Sequence, residues 1–138
     1  MSFREKSAWA MGVVMLVTGL IYLRMVLFIP ADAPAIAQIG PLVPYVVAVI
    51  VASICVQAAL AVLSPGEAQQ PADERERVAI HRAGSWSGRV LAFAVLAGAI
   101  NYLVHGNGNW LFLWVMGGLI VAQIAEYAFQ IWLFRKGA

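Results

Sequence analysis

Charge is what this sequence has least of. Only 12% of its 138 residues are charged, against 62% hydrophobic, where a soluble domain carries about 25% charged residues. A soluble chain this apolar could not cover its own surface. Cysteine is reduced to one residue, Cys55, inside an apolar run. That excludes an intrachain disulfide and a cysteine zinc cluster, and its plain reading is a small hydrophobe. The two histidines, His81 and His105, flank a long apolar stretch, whereas haem ligation across a bundle uses histidines at one depth. No His/Cys/carboxylate cluster of metal-ligand spacing is present, and no convergent nucleophile set or phosphate-binding glycine loop. No cofactor is expected, and an enzyme is disfavoured. The net charge of +2 is small. Its basic residues sit at the ends of apolar runs rather than in a nucleic-acid stripe, so nucleic acid is not an expected partner.

What is present is hydrophobic length. A bilayer core about 30 Å thick needs roughly 20 apolar residues per helix. Four stretches qualify, at about 8–29, 42–63, 86–104 and 110–134, with a polar loop at 64–85. Pro30 and Pro34 end the first. Pro41 and Pro44 open the second, where proline is tolerated in a first turn, and Ser64, Pro65 and Gly66 stop it. His105-Gly106-Asn107-Gly108-Asn109 forms a tight turn between the last two. The first run is longer than the core of a cleaved signal peptide. The chain is expected to be a single all-α integral-membrane four-helix bundle, with the lipid bilayer as its first partner.

Lysine and arginine set the orientation. Arg4 and Lys6 precede the first span, Arg75, Arg77, Arg82 and Arg89 lie in or beside the central loop, and Arg135 and Lys136 follow the fourth. An even number of spans places all three regions on one side. The N and C termini are therefore expected in the cytoplasm, and Arg24 alone breaks the pattern. Trp9, Trp86 and Trp132 fall near the inner boundary, and Trp110, Tyr45 and Tyr102 near the outer one, as aromatic belts do.

The central loop holds Pro71-Ala72-Asp73-Glu74-Arg75-Glu76-Arg77, the most polar run of the chain. Asp73 with Glu76 three residues on is a variant capping box, so a helix should start there. Asp73 and Arg77 could pair at i, i+4. Ala79, Ala83, Trp86 and Val90 share a face at helical spacing. A turn or two of interfacial helix leading into the third span is the expectation. Asp73, Glu74, Arg75, Glu76 and Arg77 read either as a solvated helix start or as a contact for a partner protein or anionic headgroups.

These residues also carry a resemblance. Asp73-Glu74-Arg75 followed by Arg82-Ala83 resembles the "DER…(K/R)A" signature of small uncharacterised four-helix bacterial inner-membrane proteins. Similar too are the opening Glu5-Lys6-Ser7-Ala8-Trp9, the late Ala122-Gln123-Ile124-Ala125-Glu126-Tyr127, the His105-to-Asn109 turn and the closing Phe134-Arg135-Lys136. The likeness covers most of the chain. It implies a multi-pass protein of the bacterial inner membrane and carries no activity with it.

Ionisable groups within spans are costly and are candidates for function. Arg24 lies late in the first span, where it can snorkel to water or pair with Asn101, Tyr102 or His105, an outer polar site. Glu126 lies about 12 Å in from Phe134 by helix rise. Gln123, Tyr127 and Gln130 are its helical neighbours, and Gln57 of the second span is at similar depth, an intramembrane polar site. Glu126 reads either as a structural carboxyl group or as a proton-coupling one. Gly118, Ala122 and Glu126 recur every four residues, a spacing that permits close helix contact. Ala94 and Gly98, Ala48 and Ala52, and Ala8 and Gly12 repeat it elsewhere.

The leading expectation is a non-catalytic accessory, assembly or regulatory subunit, with a homo-oligomer or a membrane-protein partner. The alternative is a small proton-coupled transporter using Glu126. A lipid- or quinone-contacting role is conceivable on composition, but no residue singles it out.

Overall fold

The structure, a computed structural model, describes residues 2–30, 32–68 and 71–136. Helices α1 (Phe3–Leu27), α2 (Ala35–Ile39), α3 (Leu42–Leu63), α4 (Pro65–Ala68), α5 (Glu74–His105) and α6 (Gly108–Lys136) follow in order, with no strand among the described residues. Four of them, α1, α3, α5 and α6, are long and apolar enough to cross a membrane. Lipid offers no hydrogen bonds to the backbone, so a spanning segment satisfies its own as a helix.

Local chemistry fixes the ends. Ser2 caps α1, its hydroxyl accepting from Glu5 N at 3.3 Å. Pro30 and Pro34 follow α1, and Pro44 occupies the first turn of α3. Gly106 closes α5 at φ 65°, a left-handed conformation that glycine adopts without cost.

The long helices pack in the row α3, α1, α6, α5, each antiparallel to the next. The two edge helices differ. The α5–α6 hairpin is the tightest pair, with Ala79 and Ala83 buried against Leu133. Helix α3 has no buried residue and rests mainly on α1.

Glycines set the close approaches. A β-carbon at Gly118 would stand 2.6 Å from Ala94 Cβ, one at Gly98 2.7 Å from Trp114 Cβ, and one at Gly19 2.6 Å from Ile120 Cγ2. Gly19 and Gly12 lie two turns apart on α1 and face Ile120 and Tyr127, two turns apart on α6. Without area to bury between helices in lipid, such contacts hold spans together by dispersion.

The central loop departs from the sequence expectation. Gln69 and Gln70 lie outside the described residues, but from Glu74 the helix runs unbroken to His105, about 48 Å by helix rise. Asp73 and Glu76 form the capping box. The carboxylate of Asp73 accepts from Glu74 N at 2.7 Å and not from Arg77. No proline interrupts the chain beyond Pro71, and packing of Ala79 and Ala83 on Leu133 carries the helix into the span. Asp73→Ala is expected to loosen this first turn by about 0.5–2 kcal/mol, read as faster amide exchange over residues 74–77. Unchanged exchange there would mean that packing alone starts α5.

Candidate functional site

Both termini and the start of α5 meet at one end of the row, here the terminal end. Arg4 pairs with Glu76 at 3.4 Å, and Arg135 with Glu5 at 3.4 Å. These link α1 to α5 and α6, but exposed pairs of this kind contribute only about 0–1 kcal/mol each. The Arg135 guanidinium also lies 5.5 Å from the Trp9 ring centroid, and Lys136 Nζ 4.3 Å from that of Trp132. The Trp132 ring lies tilted by 49° against Trp86, centroids 5.8 Å apart, and Trp86 meets Phe129 edge-on at 5.4 Å. Glu76 is thus drawn inward, while Asp73, Glu74, Arg75 and Arg77 are exposed.

Two turns further into the row lies Glu126. Its Oε2 accepts from the Ser87 hydroxyl of α5 at 3.4 Å, and its Oε1 from Gln130 Nε2 at 3.3 Å. Ser87 and Gln130 are buried, Glu126 partly so. Gly84 adjoins it: a β-carbon there would stand 3.9 Å from Glu126 Oε1, an ordinary contact. The single Ser87 hydroxyl proton is shared with the Gly84 carbonyl, at 3.0 Å. The carboxylate therefore sits in the α5–α6 seam, held from both helices. Two long hydrogen bonds can orient it and stabilise the pair of helices, and a carboxylate so placed can also take up and release a proton.

The other members of the expected intramembrane site lie elsewhere. Gln123 is exposed. Tyr127 turns toward α1, its Cβ 3.3 Å from where a Gly12 β-carbon would be. Gln57 donates to Ser7 of α1 at 2.9 Å, because α3 packs on α1 and not on α6. Ser87, which replaces them, leaves no signal in the sequence beyond being a small polar residue in an apolar run.

The expected outer site does not assemble either. Arg24 is exposed and bonds to none of Asn101, Tyr102 or His105 among the described residues. The reason is the row order: α1 and α5 lie on different sides of α6. His105 Nδ1 instead lies 3.2 Å from the Asn101 carbonyl oxygen one turn back. The polar link at this end is Asn109, whose amide donates to the Ala33 carbonyl at 3.0 Å and so ties the α5–α6 turn to the loop after α1. Tyr22 is a polar residue that the sequence pattern hid. It is buried with its hydroxyl unpartnered, its ring 4.9 Å from Tyr45. Among the described residues no group of three or more His, Cys, Asp or Glu is placed to hold a metal ion.

Compared with known proteins, the chain matches no family model, no curated protein and no solved structure.

Proposed function

We propose that the chain is a non-catalytic integral protein of a bacterial inner membrane that works as an accessory, assembly or regulatory subunit through helix–helix contacts. In this reading both termini and the α4–α5 connection are cytoplasmic, as the placement of seven of the nine lysines and arginines at the terminal end favours, Arg24 and Arg89 lying within spans. The observation that carries the reading is α3. It is a membrane-length helix with no buried residue, at the edge of an open row, whose outer face offers Val47, Val51 and Ile54 to whatever lies beside it. A second copy or another membrane protein would complete its packing, and the resemblance to small bacterial four-helix membrane proteins agrees with the compartment.

A photo-crosslinker at Val47 or Ala58 in native membranes, with a pull-down in mild detergent, tests this. A discrete protein adduct is expected at one or both positions. A chain that always emerges alone, with neither a partner nor a second copy, would rule the reading out. The second reading, proton-coupled transport, rests on Glu126 and its bonds to Ser87 and Gln130.

A further inference from the structure

Arg82 and Arg89 stand seven residues apart on α5. Seven residues make nearly two full turns, so the two share one line along the helix, about 10.5 Å apart by helix rise. Ser85 lies between them, three residues from one and four from the other, and so on the same face. All three are exposed. The line points away from α6, which covers the other side of α5 through Ala79, Ala83 and Ser87.

Neither arginine makes an ion pair or hydrogen bond among the described residues. Val78, Ala79, Ser85, Trp86, Ala92 and Phe93 are three or four residues away from them, and none is acidic. Glu126 is engaged in the α5–α6 seam by Ser87 and Gln130. The counter-charge for this pair therefore comes from outside the chain. Depth says what supplies it. Trp86 lies between the two arginines, about 6 Å from Arg82 and about 4.5 Å from Arg89 by helix rise. With Trp9 and Trp132 it forms the aromatic belt that marks a membrane boundary, so the pair straddles the level of the lipid headgroups.

We propose that Arg82, Ser85 and Arg89 hold the headgroup phosphate of an anionic phospholipid on the outer face of α5. The inference needs only that α5 spans the membrane and is independent of the accessory-subunit reading. Guanidinium groups donate to phosphate oxygens in charge-assisted bonds, and the Ser85 hydroxyl is a third donor. Helical side chains lean toward the N-terminus, so Arg89 reaches back past Ser85 to the boundary, as snorkelling requires. Beyond Arg89 the same line continues with Leu96 and Leu103, 60% and 82% exposed, an apolar surface for the acyl chains. A free phosphate stays in water and meets Arg82 alone. A carboxylate on a partner helix is costly at the depth of Arg89, whereas an anionic lipid carries its charge at this level already.

The test reconstitutes the full chain in nanodiscs of equal parts phosphatidylcholine and phosphatidylglycerol, with a photo-crosslinker at Ala92 or, separately, at Ala58. Both positions are exposed, and Ala58 lies at a similar depth on α3, which has no arginine. Phosphatidylglycerol should exceed phosphatidylcholine among the Ala92 adducts but not among the Ala58 adducts. Arg82→Gln with Arg89→Gln, at exposed positions that the fold does not use, should lower that excess about tenfold or more. Arg82→Lys with Arg89→Lys, which keeps both charges, should retain most of it. Arg77→Gln, turned about 140° from the line, should leave it unchanged. Equal lipid ratios at Ala92 and Ala58, an excess that survives the double glutamine change, or one that Arg77→Gln lowers as far would each overturn the proposal. In native membranes the Ala92 probe should also give lipid adducts. A discrete protein adduct there, from a second copy or from an acidic partner, would assign the face to that protein and overturn the proposal as well.

Discussion

Gly118→Val is expected to destabilise the α5–α6 hairpin more than any other single small-to-large change described here. Even a methyl group at Gly118 would stand 2.6 Å from Ala94 Cβ, well inside contact distance. Ala94 Cβ is not the end of a flexible side chain that can swing away, so relief comes only from moving the helices apart. Overpacking of this kind costs about 1–3 kcal/mol. Gly19→Val meets the branched side chain of Ile120, also at 2.6 Å, and should loosen α1 from α6. Gly88 is the control, because a β-carbon there meets nothing within 4 Å. Equilibrium unfolding in mixed micelles should rank Gly118→Val below Gly19→Val, and both below Gly88→Val. A Gly118→Val protein as stable as the Gly88→Val one would mean that the close approach of α5 and α6 is not what holds the hairpin.

The second expected result separates the two roles open to Glu126. Glu126→Gln keeps one oxygen to accept from Gln130 and turns an amide N–H toward the Ser87 hydroxyl oxygen, so stability should stay within about 0.5 kcal/mol, the range of a neutral substitution. Glu126→Leu strands the amide of the buried Gln130 and should lose about 0.6–2 kcal/mol. Ser87 is less affected because it retains the Gly84 carbonyl. If Glu126 is structural, reconstituted vesicles holding wild type or Glu126→Gln should show the same proton leak. If it couples protons, wild type should conduct and Glu126→Gln should fall to background, since an amide cannot titrate. Equal flux in both, or none in either, removes the transport reading. A Glu126→Leu protein as stable as wild type would remove the structural one.

The helices were legible in the sequence because hydrophobic length needs no knowledge of neighbours. The second run, 42–63, coincides with α3 (Leu42–Leu63), since prolines and the Ser-Pro-Gly stop bracket it. The capping box at Asp73 was legible for the same local reason. The row order was not. A span that is apolar all round presents no stripe to say which face is inward, so Gln57, placed with Glu126 by depth, bonds Ser7 instead. Arg24 failed to meet Asn101 for the same cause. Depth was harder to read: Arg89, grouped with the basic residues in or beside the central loop, lies within the continuous α5. Of the polar site around Glu126, the sequence identified Gln130 by its i+4 spacing. Ser87 required the register of α5 on α6, which Gly98 against Trp114 and Gly118 against Ala94 determine.

The pairing of α1 with α6 has a bearing on biosynthesis. It joins the first long helix made to the last, across most of the chain. Each hairpin's helices can form in the bilayer as they leave the ribosome, because every backbone bond is internal to its own helix. The seam at Gly12, Gly19, Ile120 and Tyr127 must wait until α6 has been inserted. Until then α1 offers two open glycine notches to the lipid, or to the helix of another protein.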